Sequence, residues 1–308
     1  MLIVEFFLNL RFGNSVTLMS VLERLLETQE FATLPPVAAR VLHLLEYDNI
    51  DIRDISRVIE TDASLTLKLL RVANSPLYAT RNDVNTVHQA IINLGLNRLT
   101  NIVLGVSIFS KFLLANKNLS PKLIEKFWWH SSCTGMVAKS LSLKIKRFYK
   151  EYEFIGGLLH EIGKLAMLQY DAKRYNEVIH LIEHEGLDDL TAEKKVFEIT
   201  HPEVGEAIAK LWKLPQELTD IIAYHHKPDE APEFNELISA VRFADLLTEI
   251  WDAGFYEGIK ILNLENSIAW KILTSKIPEL VNLDLEVFTF ELEQDFRNSA
   301  MFLNLISS

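Results

Sequence analysis

Ionisable side chains set into otherwise apolar stretches mark where chemistry would sit in this chain. Residues 154–170, FIGGLLHEIGKLAMLQY, read as a helix apolar nearly all round and interrupted by His160, Glu161 and Lys164. A helix of that character is normally buried. A buried imidazole, carboxylate and ammonium each need partners, because desolvating an unpaired charge is costly. Candidate partners are His130 in EKFWWHSSCTGMVAKSL, His201 in ITHPEVGEAI, the pair His225-His226 in DIIAYHHKP, and Asp245 in SAVRFADLLTEI. Each reads as lying in or at the end of an amphipathic helix, and a helical bundle can bring such residues to one point from distant positions.

Imidazole with carboxylate suits Fe, Mn or Zn, and such a set could hold one or two ions. A pair of ions about 3.5–4 Å apart could activate a water and stabilise a phosphoryl or phosphodiester transition state. Three readings are open: a metal site, a catalytic site, or a polar knot tying helix 154–170 to helices 122–143 and 232–249. Taken singly, a histidine in a helical sequence is more often a core or surface residue than a ligand. Lys164 serves any of these readings, since it can neutralise Glu161 directly or steady a bound phosphate.

Adjacent helical residues point about 100° apart, so His225 and His226 share one site only if the helix ends there or two ions are bound. Pro228 fits such an ending. The competing reading makes one histidine a C-terminal cap and leaves the other solvated. Trp128 and Trp129, with Phe127, read as core packing ahead of base stacking. The single cysteine, Cys133, leaves no intrachain disulfide and no thiolate cluster, and reads as a small buried hydrophobe.

The elements that must position these residues are helical throughout. Residues 16–27 read as a helix, the prolines of LPP at 34–36 introduce another over 37–45, and Asp51 opens a third. Asp62 can cap ASLTLKLLRVANS, closed by Pro76. Helices follow over 86–94, with a break at Gly95, and over 99–114. NKNLSP, 116–121, is the best internal boundary. Longer helices then run over 122–143, 154–170, 172–185, 191–211, 217–225 and 232–249, with a break or kink expected at Pro202. Period-two alternation is weak, so the expected fold is all-α and two-lobed. The expected divisions are an N-terminal extension (1–30), a helical lobe (31–115), a second lobe (116–250) and a C-terminal helical extension (251–308). Residues 1–14 could be a short strand or an apolar arm. The apolar side of 282–308 could pack on the first lobe or on a second copy.

The chain has 308 residues and is 49% hydrophobic, ample for real cores. Lysine and arginine total 31 against 42 aspartate and glutamate, a formal charge of −11. That balance argues against a nucleic-acid partner, whose phosphates select a basic footprint. The opening MLIVEFFLNLRFGN lacks a positive leader, and no later segment offers a membrane span, so the expectation is a cytoplasmic protein with no membrane partner.

The order His130, His160-Glu161, Asp245 resembles the HD superfamily of metal-dependent phosphohydrolases, whose pattern is a histidine, a His-Asp pair and a distal aspartate. His201, His225 and His226 look like the further ligands of its two-metal, cyclic-dinucleotide branch, and Lys164 falls at that branch's lysine. The chain departs from the pattern in carrying Glu161 for aspartate, which moves the carboxylate by roughly 1 Å in a site needing placement within about 0.5 Å. It also has Lys227-Pro228-Asp229-Glu230 where that branch has a Gly-Tyr-Pro signature. The first half narrows the match. Leu34-Pro35-Pro36, the run from Asp62 to Asn74 with Ser75-Pro76, AIINLG at 90–95, GLLHEIGKL at 157–165 and HPEVG at 201–205 are together similar to the HDOD family, over about residues 31–250. That resemblance implies a bacterial regulatory module with hydrolase activity mostly lost, working through contacts with signalling proteins and modulated by a metal or nucleotide ligand. The competing implication is a metal-dependent phosphohydrolase using the same seven ligands, with Lys164 assisting at phosphate.

Overall fold

The computed structural model describes residues 21–26, 34–45, 51–74, 83–115, 120–259 and 263–307; the arm at 1–14 lies outside them. All regular structure among these residues is helical: α1 (Val21–Leu26), α2 (Pro36–Leu45), α3 (Ile52–Glu60), α4 (Ala63–Ala73), α5 (Val87–Leu94), α6 (Leu96–Ala115), α7 (Pro121–Lys144), α8 (Tyr152–Leu159), α9 (Ile162–Tyr170), α10 (Ala172–His180), α11 (Asp189–Phe197), α12 (His201–Leu211), α13 (Gln216–Tyr224), α14 (Asn235–Ile250), α15 (Ile268–Lys276) and α16 (Leu285–Ser307). A π-helical turn, Leu181–Glu185, extends α10, and a 3-10 turn, Pro278–Leu280, precedes α16.

Local chemistry accounts for most of the helix ends. Asp51 and Asp62 accept backbone N–H bonds at the starts of α3 and α4, and Thr86 with Gln89 forms a reciprocal capping box on α5. Two expected helices are each divided. The stretch 154–170 breaks at His160-Glu161, where Glu161 leaves helical geometry. The stretch 191–211 shows the break expected near Pro202, at 198–200: Glu198 is left-handed, Thr200 and Glu203 cap α12, and Pro202 sits in the first turn of α12. Proline is harmless there because first-turn N–H groups have no intrahelical acceptor.

Helices α2 to α6 form the first lobe, and α7 to α14 the second. Helix α6 packs on α8 and joins the two. A buried ion cluster pins the same junction: Lys139 on α7 reaches Glu151 and, at 2.8 Å, Glu153, while Arg98 on α6 lies 2.7 Å from Glu151. The C-terminal helix α16 lies mainly against α7, with the Phe296 ring 5.5 Å from that of Trp251 and 6.3 Å from that of Trp129. Trp128 and Cys133 are buried.

Two glycines set the geometry that the second lobe needs. A Cβ on Gly157 would lie 2.6 Å from Gly135, so α7 and α8 cross with backbones in contact. That crossing brings His130 and His160 to one level. A Cβ on Gly163 would collide with the His201 carbonyl, so Gly163 admits the start of α12 against α9. No helix among the described residues is long and apolar enough to cross a membrane.

Candidate metal centre

The break between α8 and α9 turns His160 and Glu161 out of one helical path, and each side chain joins a different group. His160 meets His130 from α7 and Asp245 from α14. The His130 and His160 Nε2 atoms are 3.3 Å apart, and Asp245 Oδ1 lies 3.3 Å from the first and 3.4 Å from the second. Glu161 meets His201 at the start of α12 and, through it, His225 and His226 at the end of α13. Glu161 Oε2 is 3.1 Å from His201 Nε2, which is 3.3 Å from His225 Nε2 and 3.1 Å from His226 Nε2. Within each group the potential ligand atoms lie within 4.8 Å of one another. The groups adjoin: Glu161 Oε1 is 4.0 Å from His160 Nε2, and the His160 and His225 rings are 5.0 Å apart edge to face.

All eight side chains singled out in the sequence, Lys164 included, therefore converge. Helix α13 ends at Tyr224, so His225 and His226 both turn inward. The reading of one as a solvated side chain fails, because His225 is fully buried and His226 is nearly so.

The outer nitrogens explain the inward ones. His130 Nδ1 donates to the Ala253 carbonyl at 3.1 Å, His160 Nδ1 to that of Gly157 at 2.8 Å and His225 Nδ1 to that of Ile222 at 3.0 Å. A carbonyl can only accept, so in these rings the hydrogen sits on Nδ1. His201 Nδ1 donates to Glu193 Oε2 at 2.8 Å, the oxygen that also accepts the His201 backbone N–H. In their neutral forms these four rings present bare Nε2 lone pairs to one another and to carboxylate oxygens at 3.1–3.4 Å. Acceptor facing acceptor in a buried site is repulsive unless a proton or a cation lies between.

Protonation is the weaker remedy. Burial pushes the His130 pKa down to about 3 and those of His201, His225 and His226 well below the ordinary range, with Lys164 adding to the effect at His201 and Arg242 at His226. His130, His201, His225 and His226 are thus held in the neutral form that binds metal, and the Nδ1 acceptors fix the orientation of the rings they hold.

The carboxylates that sequence reasoning missed complete the shell. Lys164 Nζ is 2.6 Å from both Glu161 Oε1 and Asp189 Oδ2. Burial opposes its charge, yet Asp189 and Glu161 outweigh it and hold the ammonium well above its usual range. Arg242, one turn before Asp245 on α14, lies 2.6 Å from Asp245 Oδ2 and also contacts Glu257. Burial raises Asp245, but His160 and Arg242 prevail and keep its pKa well below the ordinary range. Burial pushes Glu161 well up, and Glu193 and Glu257 up to about 8. Five carboxylates thus surround two fixed cations, a surplus of anionic capacity that suits divalent ions. The sequence signals for the missed residues are faint: Arg242 and Asp245 share an i,i+3 face, whereas Asp189 and Glu193 sit in a charged run that reads as solvated.

Comparison with known proteins places this arrangement in a family. The sequence profile of the HDOD domain matches residues 31–228, well over half of the chain. A curated relative from Treponema pallidum (strain Nichols), described as an uncharacterized protein, is 24% identical over 221 residues; these are 71% of this chain but only 42% of that one. Among solved structures, an HDOD domain protein of unknown function from Geobacter sulfurreducens superposes with a TM-score of 0.74 at 24% identity, covering 99% of this chain and 97% of that one. A candidate phosphohydrolase from Shewanella amazonensis SB2B superposes at 0.66 and 21% identity, covering 92% and 98%. With its all-α architecture, its Leu-Pro-Pro entry and its paired histidine groups, the chain belongs to the HDOD family, a branch related to the HD phosphohydrolases.

Proposed function

We propose that the protein is a signal-transduction module whose buried centre binds one or two transition-metal ions and whose output is contact with another signalling protein. The observation that carries the metal part is the meeting of imidazole lone pairs whose Nδ1 hydrogens are already committed elsewhere. His130, His160 and Asp245 would hold one ion, and Glu161, His201, His225 and His226 a second. This neutral nitrogen and carboxylate set suits Fe, Mn or Zn. Bound there, such ions supply Lewis acidity toward a phosphoryl oxygen and lower the pKa of a coordinated water.

Regulation is supported by burial. His226 is the most accessible of the seven candidate ligands, with its side chain 10% exposed, so a nucleotide has no route to the centre without movement of the chain. Family membership points the same way, toward a module that transmits a state in preference to turning over substrate. A second reading, metal-dependent phosphohydrolysis, is favoured by Lys164 and Arg242, two cations set against the ligand groups where a phosphoryl group would carry its charge. It also draws support from the likeness to the Shewanella protein.

Elemental analysis separates these readings. Protein purified without chelator and reconstituted with Fe, Mn or Zn should carry one or two ions per chain and leave bis(p-nitrophenyl) phosphate intact. A folded chain that takes up no ion contradicts the proposal. Diester hydrolysis that needs both metal and His160 would transfer the assignment to the second reading.

A further inference from the structure

After α14 the chain does not leave the centre. Residues 251–258 fold back as a strap across it, and the strap supplies two of the groups that face the imidazoles: the Ala253 carbonyl, which accepts from His130, and the Glu257 carboxylate, 3.6 Å from His226 Nδ1. It is anchored by Phe255, which is buried edge-on against Phe127 at 5.1 Å and donates its N–H to Glu249 at 2.8 Å. The Glu257 carbonyl accepts from Asp189 N at 3.1 Å. Asp252, Tyr256 and Gly258 all have positive φ, so the path is a tight one.

Glu257 is the anomaly on this strap. Its carboxylate is 4% exposed and contacts the Arg242 guanidinium through Oε1, while Oε2 has no hydrogen-bond partner. A buried carboxylate so poorly satisfied is costly. No helix geometry requires it there. What the position does have is the chemistry of an anion site: a guanidinium on one side and His226 of the second ligand group on the other. A guanidinium is the side chain best matched to a phosphoryl oxygen pair.

We propose that Glu257 is a built-in competitor, occupying the position at which Arg242 and the second ligand group would bind a phosphoryl group, so that the strap must release Glu257 before such a ligand enters. This rests on the metal-centre reading given above. A carboxyl group and a phosphoryl oxygen pair are alike in shape and in their demand for N–H donors, so one can hold the other's place. Because the strap also carries Ala253, its displacement frees the His130 ring from its acceptor, which couples ligand entry to the first ligand group.

The test titrates inorganic phosphate into metal-reconstituted wild type, Glu257→Ala and Glu257→Ala/Arg242→Ala by calorimetry, with metal content measured on each sample. Glu257→Ala should bind phosphate at least tenfold more tightly than wild type with unchanged metal content, and the double variant should lose the gain. Equal affinity in wild type and Glu257→Ala overturns the proposal, as does a loss of metal on Glu257→Ala, which would make Glu257 a part of the metal shell. Should Glu257→Ala fail to fold, the isosteric Glu257→Gln removes only the charge; a gain of threefold or more supports the proposal and no gain overturns it. Dimethyl phosphate run in parallel distinguishes sources: a gain shared with it assigns a diester, and a gain for inorganic phosphate alone assigns a terminal or free phosphate. If no sample holds metal, the metal-centre reading fails by itself. The same titration on metal-free protein then decides the role of Glu257, since an Arg242-dependent gain still supports it and its absence overturns it.

Discussion

Two polar clusters set into the interior of this protein are chemically opposite. At the junction of the lobes, Lys139 and Arg98 face Glu151 and Glu153, cation against anion, with Ser142 donating to Glu153 as well. Around His160, lone pairs face lone pairs and carboxylates outnumber fixed cations. The first cluster is complete with the protein's own charges. In the second, the imidazoles meet with their neutral nitrogens facing one another, and that difference separates a structural pin from a candidate binding centre.

The comparison is broken most directly by removing one member from each cluster. His160→Ala should cost the His130, His160 and Asp245 group its ion, a loss of about a hundredfold in affinity at that group, read by elemental analysis after reconstitution. Lys139→Met should leave metal content unchanged and destabilise the fold by about 3–5 kcal/mol in urea unfolding, because it takes the cation from buried Glu153 and leaves Glu151 to Arg98. Metal loss in the second variant, or undiminished metal content in the first, would erase the distinction.

Metal itself should act on only one cluster. At a thousandfold excess over its dissociation constant an ion adds about 4 kcal/mol of stability, on the order of 10 °C in Tm for a chain of this size. Lys139→Met should show the same increment from a lower baseline. His201→Ala should show much less of it.

Acid should also discriminate, and the sign follows from the depressed histidines. Unfolded, a histidine takes up its proton near pH 6.5; folded, His130 does so only near 3, and His201, His225 and His226 are displaced in the same direction. The unfolded chain therefore binds more protons in that interval, and stability falls as pH drops from about 6.5 toward 3. His130 alone accounts for on the order of 5 kcal/mol over the window, at about 1.4 kcal/mol per pKa unit. Glu193 and Glu257, raised from 4.5 to about 8, work in the opposite sense: their contribution is present below 4.5 and lost as pH rises toward 8. The steepest acid loss of the metal-free chain is thus expected below pH 4.5, where Glu193 and Glu257 no longer offset the histidines and Asp245, held low in the folded chain, adds a loss of the same sign. Chemical denaturation across pH after chelation measures it, and replacing His130 with glutamine should flatten it.

How much of this was legible in the sequence depended on whether a residue type is rare in its setting. A histidine or lysine inside GLLHEIGKL stands out because apolar neighbours force it indoors, and the same holds for His130 and Asp245. Asp62, Thr86 and Gly95 announced helix ends through capping chemistry that acts within a turn or two. The break at His160-Glu161 was not legible, since nothing local to GLLHEIGKL disfavours a continuous helix. It accompanies the divergence of two adjacent side chains, His160 toward Asp245 and Glu161 toward His201. Asp189, Glu193 and Glu257 were hidden for the opposite reason: carboxylates in EGLDDLTAEKK or in WDAGFYEGIK look like ordinary surface charge, and only the fold turns them inward. Glu257 further lies beyond residue 250, in a stretch that reads as an appendage to the second lobe.

The smallest expected effect concerns the departure from the His-Asp pattern. Glu161 spans from Lys164 at 2.6 Å to His201 at 3.1 Å, and shortening it in Glu161→Asp draws the carboxylate back by roughly 1 Å. Metal affinity of the Glu161 group should fall about tenfold while the His130, His160 and Asp245 group keeps its ion, giving two separable binding steps in a competition titration.

The central claim is that the inward-facing nitrogens are arranged for a cation. X-ray absorption at the metal edge of the reconstituted protein tests it most directly. The spectrum should show a shell of imidazole nitrogen and carboxylate oxygen without sulfur, whose imidazole signal weakens when His130 or His201 is replaced. A correctly folded chain that shows no bound metal at any edge after anaerobic reconstitution with Fe, Mn and Zn would contradict it.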